Sequence, residues 1–241
     1  MLKIKKYNVY IVTKTGLHIG AWNTNIWIGE MDNPIIKDKN WFPYIPWSSL
    51  KWKLRSLYEI KENKIWPKWW PYELKKWEYD EISMFFGKSW KEKDEKTLEN
   101  LWATRFIFRD LKLANEINDK VEIKSFDKKD LYLLENYNSW QSEWESLTEE
   151  KTEVAINRNT WTAGWRWFDP RPVERVFAGT VFKWELIVRL FEKPNLEKEQ
   201  ENLEKFWKDF EEFKTLLEDD YLGWLWTRGS GQVEIIFEEV K

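Results

Sequence analysis

The sequence of 241 residues contains no cysteine and a single histidine, His18. The lack of cysteine excludes disulfides, thiolate metal sites and cysteine nucleophiles, and one histidine excludes a multi-histidine metal cluster. Any metal ion would therefore be bound by carboxylates. No run of about 18 apolar residues exists to span a bilayer, and the N-terminal segment alternates like a strand instead of forming a signal peptide. We therefore expect a cytoplasmic protein.

Glycine is scarce and tryptophan is abundant, with 9 glycines beside 20 tryptophans. Ordinary proteins contain about 7% glycine. Tryptophan stands where turns favour glycine, for example at Trp41 after Asp38-Lys39-Asn40 and at Trp161 after Asn159-Thr160. A bulky side chain there resists a positive φ. Two explanations stay open: the gene uses UGA for glycine, or the tryptophans form a real surface that stacks bases.

The net charge of -3 argues weakly against a nucleic-acid-binding domain, because such domains usually carry an excess of positive charge. The distribution of charge is more informative. Residues 47 to 55 contain Lys51, Lys53 and Arg55 without any acid, whereas residues 196 to 220 are dense in Asp and Glu. We therefore expect a basic face and an acidic helix in the same protein.

Hydrophobic periodicity predicts an α+β protein with a ferredoxin-like (RRM-like) core. A helix capped by Ser48 or Ser49 is indicated by Leu50, Leu54 and Leu57 on one face. Residues 203 to 217 are predicted to form a second amphipathic helix, whose apolar face packs into the core. The predicted strands cover residues 2–13, 104–113, 181–192 and 233–240.

The remaining segments are predicted to be insertions in one domain that covers residues 1–241. Residues 61–100 are polar and rich in lysine, which indicates a helical, lid-like insertion. Residues 145–180 are rich in Thr, Asn, Arg, Gly and Pro, which indicates an excursion from the core. A loop from Gly16 to Pro46 is long for a compact domain, and such loops are usually functional.

Several ordered motifs resemble the RAMP superfamily, most closely the backbone subunits of type III-A (Csm) CRISPR effector complexes. The motifs are Gly16 to Gly20, residues 29–34, residues 44–56 and residues 220–231. With Trp47 and Trp52 read as glycine, the third motif becomes PGSSLKGKLRS, as in that family. The resemblance covers nearly the whole chain, and it identifies residues 145–180 as a thumb-like hairpin.

The resemblance implies a subunit that forms a filament with copies of itself along a CRISPR guide RNA, together with other type III subunits. It implies a metal-dependent endoribonuclease that cleaves guide-paired target RNA at regular intervals. Two alternatives stay open: a non-catalytic RNA-binding scaffold, and a capping RAMP subunit of the same kind of complex.

The expected RNA-binding residues offer cations, hydroxyls and flexible backbone, which hold phosphates without reading bases. For each group there is a plainer interpretation, namely a solvated helix face, a solvent loop or a simple turn. The residues are Ser48, Ser49, Lys51, Lys53 and Arg55 at the helix start, Lys151, Arg158 and Arg171 in the thumb region, and Gly223, Arg228, Gly229 and Gly231 in the glycine-rich loop.

The resemblance places the cleaving aspartate at Asp32. From its residue type alone, Asp in Asp-Asn-Pro is equally well a turn former. As a catalyst, Asp32 would accept a proton or hold a divalent cation, and Mg²⁺ is the expected ion because it prefers a few oxygen ligands and keeps its waters. Four further residues are expected to have supporting roles: His18, Asp110, Glu149 and Glu153.

The abundance of tryptophan yields the first testable prediction. If the gene uses UGA for glycine, sequencing of the transcript should show UGA codons at positions 41, 47, 52 and 224. Codons for authentic tryptophan, UGG, at these four positions would contradict the recoding hypothesis and favour a base-stacking surface.

Overall fold

The computed structural model describes residues 2–21, 33–64, 81–87, 104–118, 121–134, 147–154, 156–163, 170–191 and 212–240. These residues form a mixed α/β protein in which strands predominate. The strands are β1 (Leu2–Thr13), β2 (Phe106–Ile107), β3 (Lys112–Leu113), β4 (Thr148–Glu153), β5 (Arg171–Val176), β6 (Val181–Phe191) and β7 (Val233–Val240). The helices are α1 (Trp47–Lys61) and α2 (Glu81–Phe86), and residues 212–218 are also helical.

The main sheet is antiparallel and has β1 at its centre. The strand order is β2-β6-β1-β7, and β3 also pairs with β6. Both faces of β1 are covered, because Val9 and Ile11 pack into one hydrophobic cluster while Tyr10 and Val12 pack into another. Successive side chains of a strand point to opposite faces, so this apolar run fits a strand buried on both sides.

The larger cluster lies between the sheet and the helices. It contains Leu50, Leu54 and Leu57 of α1, which confirms the predicted apolar face of this helix. The rings of Tyr58 and Phe213 stack with their centroids 4.8 Å apart and join α1 to the helix over 212–218. The smaller cluster lies on the opposite face, under the segment that contains Ala114, Val121 and Leu131.

The start of α1 differs from the sequence prediction. Neither Ser48 nor Ser49 caps the helix, because α1 begins at Trp47 with Pro46 at the N-cap position and no side-chain cap from it. The Asp110 carboxylate, far away in sequence, accepts a hydrogen bond of 2.9 Å from the Trp47 backbone N–H. A tertiary contact thus provides the cap that a local serine was expected to provide.

The predicted strand over residues 104–113 is also different, because it consists of the two short strands β2 and β3. Between them the chain leaves the edge of β6, and Leu111 pairs with Ile45 through two backbone hydrogen bonds of 3.0 and 2.9 Å. This excursion brings Asp110 to the start of α1. Hydrophobic periodicity does not reveal this excursion, because the pairing partner lies in a distant loop.

The predicted excursion over 145–180 begins inside the core. Strands β4 and β5 form a two-stranded antiparallel sheet, and Val173 and Val176 of β5 are buried. Val176 also pairs with Leu17, near the end of β1. Of the predicted lid over 61–100, the end of α1, α2 and their flanking residues are described, and the rest lies outside the described residues. In the described ranges, no helix has both the length and the apolar character needed to cross a membrane.

Candidate nucleic-acid interface

The glycine-rich loop at residues 223–231 packs against the segment that follows β1. The Trp224 N–H donates to the His18 carbonyl at 2.9 Å, and the Gly231 N–H donates to the Gly16 carbonyl at 3.0 Å. The same segment pairs with β5 at Leu17. Three regions that the sequence pointed to separately therefore meet: the first glycine motif, the thumb base and the glycine-rich loop.

Glycine is required at two positions of this loop. Gly223 has a φ of 82°, and a Cβ atom there would lie 2.4 Å from the His18 carbonyl oxygen. Gly231 has a φ of 87°, and its Cβ would lie 2.2 Å from the Leu222 carbonyl oxygen. At Gly229, with a φ of 79°, the surrounding space is open. Close backbone packing explains the first two glycines, and backbone conformation explains all three.

Four N–H groups near the end of this loop serve the fold. Those of Arg228 and Ser230 donate to the Leu225 carbonyl, and those of Gly229 and Gly231 donate to Trp226 and Gly16. The hydrogens of these four N–H groups are already used within the protein, which argues against their binding phosphate. At Arg228, contact with a polyanion would then come from the side chain.

A charged network joins the glycine-rich loop to β4. The Arg228 guanidinium forms an ion pair with Glu153, whose carboxylate also lies 3.8 Å from the Lys151 ammonium. Lys151 donates a hydrogen bond of 3.0 Å to the Arg228 carbonyl. The Arg228 side chain remains 59% exposed, so it can contact a phosphate while Glu153 orients it. Two predicted RNA-binding residues and one predicted supporting residue thus lie together.

The three cations of α1 that were predicted to bind RNA have different environments. Arg55 is buried, and it donates to the Glu59 carboxylate at 2.7 Å and to the Gly87 carbonyl at 2.9 Å. Its guanidinium holds α1 against the end of α2, which argues against the expected contact with RNA. Lys53 forms an ion pair of 2.8 Å with Asp220, and its side chain is 16% exposed.

Lys51 is the cation of α1 that lies nearest the helix start. Its ammonium lies 5.3 Å from the centre of the Trp47 ring. Burial lowers the pKa of Lys51, and the nearby Arg55 charge lowers it further. Both effects raise the free energy of the charged form, so a phosphate at this position would relieve them. Lys53 and Arg55 are paired with Asp220 and Glu59, so of these three cations Lys51 is the best placed for RNA.

The Glu174 carboxylate, which the sequence analysis did not single out, organises the loop that follows Asp32. Glu174 is only 4% exposed. Its oxygens accept hydrogen bonds from the Ile35 N–H at 3.0 Å, the Thr148 hydroxyl at 2.8 Å and the Lys37 ammonium at 2.5 Å. A signal was available, because Glu174 shares a strand face with the apolar Val176, and a carboxylate at such a position needs partners.

The backbone of Glu174 makes two further contacts. Its N–H donates to the Asn33 carbonyl at 3.1 Å, and its carbonyl accepts a 2.5 Å hydrogen bond from His18 Nδ1. His18 is 1% exposed, so the lone histidine is a buried structural residue. Segments 17–21 and 33–36 are also joined to each other, through Ala21 and Ile36. Side-chain and backbone contacts of Glu174 thus fix both segments that flank residues 22–32.

The remaining predicted residues have separate positions. Glu149 forms an ion pair of 2.5 Å with Arg175. Arg158 is exposed in the turn over 157–162, and Arg171 is exposed at the first position of β5. Asp32, the predicted catalytic and metal-binding residue, lies outside the described residues. Across the described part of the chain, no group of three Asp, Glu or His side chains could hold a metal ion.

The buried Glu174 network gives a prediction about stability. Glu174→Ala should lower the free energy of unfolding by about 3 kcal/mol, because it leaves the Ile35 N–H and the Lys37 ammonium without their acceptor in a poorly hydrated site. Urea unfolding measures this loss. Glu150→Ala is the matched control, since Glu150 is exposed and lies opposite Glu174 in the β4–β5 register. Equal losses for the two variants would show that the network contributes nothing.

Comparison with known proteins gives the family. A profile of the RAMP superfamily matches residues 10–234. The protein named CRISPR system Cms endoribonuclease Csm3 from Enterococcus italicus is 31% identical over 230 residues, which cover 94% of this chain and 86% of that protein. The protein of the same name from Streptococcus thermophilus is 33% identical over 240 residues, which cover 98% and 88% of the two chains.

A solved structure supports the fold. One chain of the cryo-EM structure of the Type III-B Cmr-beta bound to cognate target RNA superposes with a TM-score of 0.54 at 16% identity. The match covers 99% of this chain and 61% of that longer chain. At this identity the likeness concerns the fold. The profile match and the nearly full-length similarity to two named relatives lead to one conclusion: the chain belongs to the RAMP superfamily and, within it, to the Csm3 group.

Proposed function

We propose that this chain is the guide-RNA-binding backbone subunit of a type III CRISPR effector and that it cleaves target RNA paired to the guide. The main observation in support of the proposal is that three elements contact one another at one surface. Hydrogen bonds and ion pairs join the glycine-rich loop, the base of the β4–β5 hairpin and the segments that flank residues 22–32. The relatives named Csm3 are endoribonucleases by name, which agrees with this activity.

The core on which this surface stands is proposed to be ferredoxin-like. The order β2-β6-β1-β7, with α1 after β1 and the helix over 212–218 before β7, fits a split βαβ arrangement. In that arrangement β4 and β5 are an insertion between the second and third core strands. This supports the proposal that the segment beyond them is a thumb-like hairpin within one RAMP domain.

Contact with RNA is proposed to use cations that do not read bases. Lys51 at the start of α1, Arg228 in the glycine-rich loop and the exposed Arg158 and Arg171 can each neutralise a phosphate. Such contacts tolerate any guide sequence, because the phosphate backbone is the same for all. One domain offers few such contacts, so a long guide requires several copies, which supports assembly into a filament with other type III subunits.

Cleavage is proposed to depend on Asp32. The four other predicted acidic and imidazole groups have structural partners: His18 with Glu174, Asp110 with the α1 start, Glu149 with Arg175 and Glu153 with Arg228. Asp32 directly precedes Asn33, whose carbonyl is held by Glu174. The segment after Asp32 is thus anchored, which supports a reproducible position for the carboxylate.

The chemistry at Asp32 would be phosphodiester scission. The carboxylate can accept the proton of the 2′-hydroxyl that attacks the adjacent phosphate. A divalent cation such as Mg²⁺, if bound there, would supply Lewis acidity and offset phosphate charge. One protein carboxylate suits Mg²⁺, which keeps several waters and takes phosphate oxygens as ligands. A non-catalytic scaffold is the second candidate, favoured by the structural partners of the other four groups.

The cationic surface predicts a specific salt dependence. Lys51→Ala should weaken binding to RNA of any sequence and reduce the slope of log affinity against log salt by about one, because one phosphate contact is lost. Lys61→Ala is the control, since it removes the same charge at the far end of α1, where Lys61 pairs with Glu212. Binding titrations at several salt concentrations measure both variants. An identical slope for Lys51→Ala and the parent chain would contradict the assigned contact.

The proposed catalyst predicts a separation of binding from cleavage. Asp32→Asn preserves size and removes the charge, so guide binding, target binding and assembly should persist while the cleavage rate falls by about two orders of magnitude or more. Gel analysis of the assembled complex measures the rate. Product ends distinguish the nucleophile, since attack by the 2′-hydroxyl leaves a 2′,3′-cyclic phosphate. Full cleavage by Asp32→Asn would exclude this residue and favour the scaffold.

A further inference from the structure

Two tryptophans have a backbone conformation that favours glycine. Trp41 has a φ of 67° and lies in a tight turn, in which its N–H donates to the Asp38 carbonyl at 3.0 Å. The Asp38 N–H donates to the Phe42 carbonyl at 2.8 Å and closes a short hairpin. A left-handed residue that ends such a loop is the usual place for glycine.

Trp161 repeats this arrangement in a second hairpin. Its φ is 56°, and its N–H donates to the Asn157 carbonyl at 2.8 Å. The Asn157 N–H donates to the Thr162 carbonyl at 2.9 Å, so Trp161 is again the last loop residue before the chain turns back. A Cβ atom raises the energy of the left-handed conformation, and a bulky side chain gains no compensation when solvent surrounds it.

Solvent does surround both indoles. Trp41 is 78% exposed and Trp161 is 80% exposed. Within the described part of the chain, Trp184 packs into the core at 5% exposure, and the other tryptophans are all exposed. Tryptophan is highly buried on average in folded proteins, so an almost wholly exposed set is abnormal for tryptophan and ordinary for glycine.

We infer that positions 41 and 161 are glycine in the protein as its own cells make it, and that the same codon reassignment applies at positions 224 and 226, where the indoles are 54% and 50% exposed. The backbone conformation at positions 41 and 161 supports the first part of this inference, whatever the function of the protein. The second part concerns the surface that is proposed to contact the RNA backbone, so this part rests on the proposed function.

The indole at position 226 covers the Tyr221 ring, which would otherwise face the RNA. Trp226 stacks on Tyr221 with ring centroids 4.5 Å apart and an interplanar angle of 6°. The Lys53 ammonium lies 3.4 Å from the centre of the same Tyr221 ring. With glycine at 226, the phenol ring of Tyr221 and the neighbouring Arg228 would form the surface of the loop. RNA would then contact a cation and one aromatic ring in place of the indoles at positions 224 and 226.

The stability test compares turn positions with a helical position. Trp41→Gly and Trp161→Gly should each shift the unfolding equilibrium about fivefold toward the native state, because glycine adopts the left-handed conformation without a Cβ penalty. Trp52→Gly, at an exposed site within α1, should shift it in the opposite direction, because glycine weakens helices. A shift toward the unfolded state for both turn variants would overturn the inference.

Two further measurements complete the test. Mass spectrometry of peptides from the protein purified from its native host should give glycine masses at 41, 161, 224 and 226, and tryptophan masses would overturn the inference. The double variant Trp224→Gly, Trp226→Gly should bind a single-stranded RNA at least as tightly as the parent. A tenfold or greater loss would instead assign base stacking to these indoles. If Lys51→Ala also leaves RNA binding unchanged, the proposed function fails independently of the glycine assignment.

Discussion

The proposed site depends on the hydrogen bonds that the buried carboxylate of Glu174 accepts. It lies on β5, yet its hydrogen bonds reach the Ile35 backbone, Lys37 and Thr148. A buried carboxylate without partners is unfavourable, so these donors must come to it for the protein to fold. The loop after Asp32 and strand β4 are therefore held in one arrangement. The Glu174 backbone extends this arrangement to His18 and Asn33.

Several acidic residues in the described ranges position other groups. Asp110 caps the start of α1, Glu149 holds Arg175, and Glu153 holds Arg228 beside the glycine-rich loop. A carboxylate beside an arginine at a solvent-facing surface limits the orientations of the guanidinium while it leaves part of the charge available. A chain with a net charge of -3 can still present single cations locally to a polyanion, because the charges are unevenly distributed.

The glycine-rich loop depends on close backbone packing. Gly223 and Gly231 allow the chain to pass within van der Waals contact of neighbouring carbonyls, the N–H groups from Arg228 to Ser230 donate within the loop, and the Gly231 N–H donates to Gly16. The loop presents Arg228 beside Glu153, which orients its guanidinium. Trp41 and Trp161 also adopt the left-handed conformation at the ends of tight turns. Glycine is favoured at such positions because it has no Cβ atom.

The sequence by itself determined the long strands β1, β6 and β7, the apolar face of α1 and the family, because these depend on local periodicity and on ordered motifs. It also indicated that Trp41 and Trp161 stand where turns favour glycine. Only the tertiary structure decided that Asp110 caps α1, that Arg55 is buried and that Glu174 is a central acceptor. Each of these depends on partners distant in sequence, and no local pattern records which chain segments come together when the core closes.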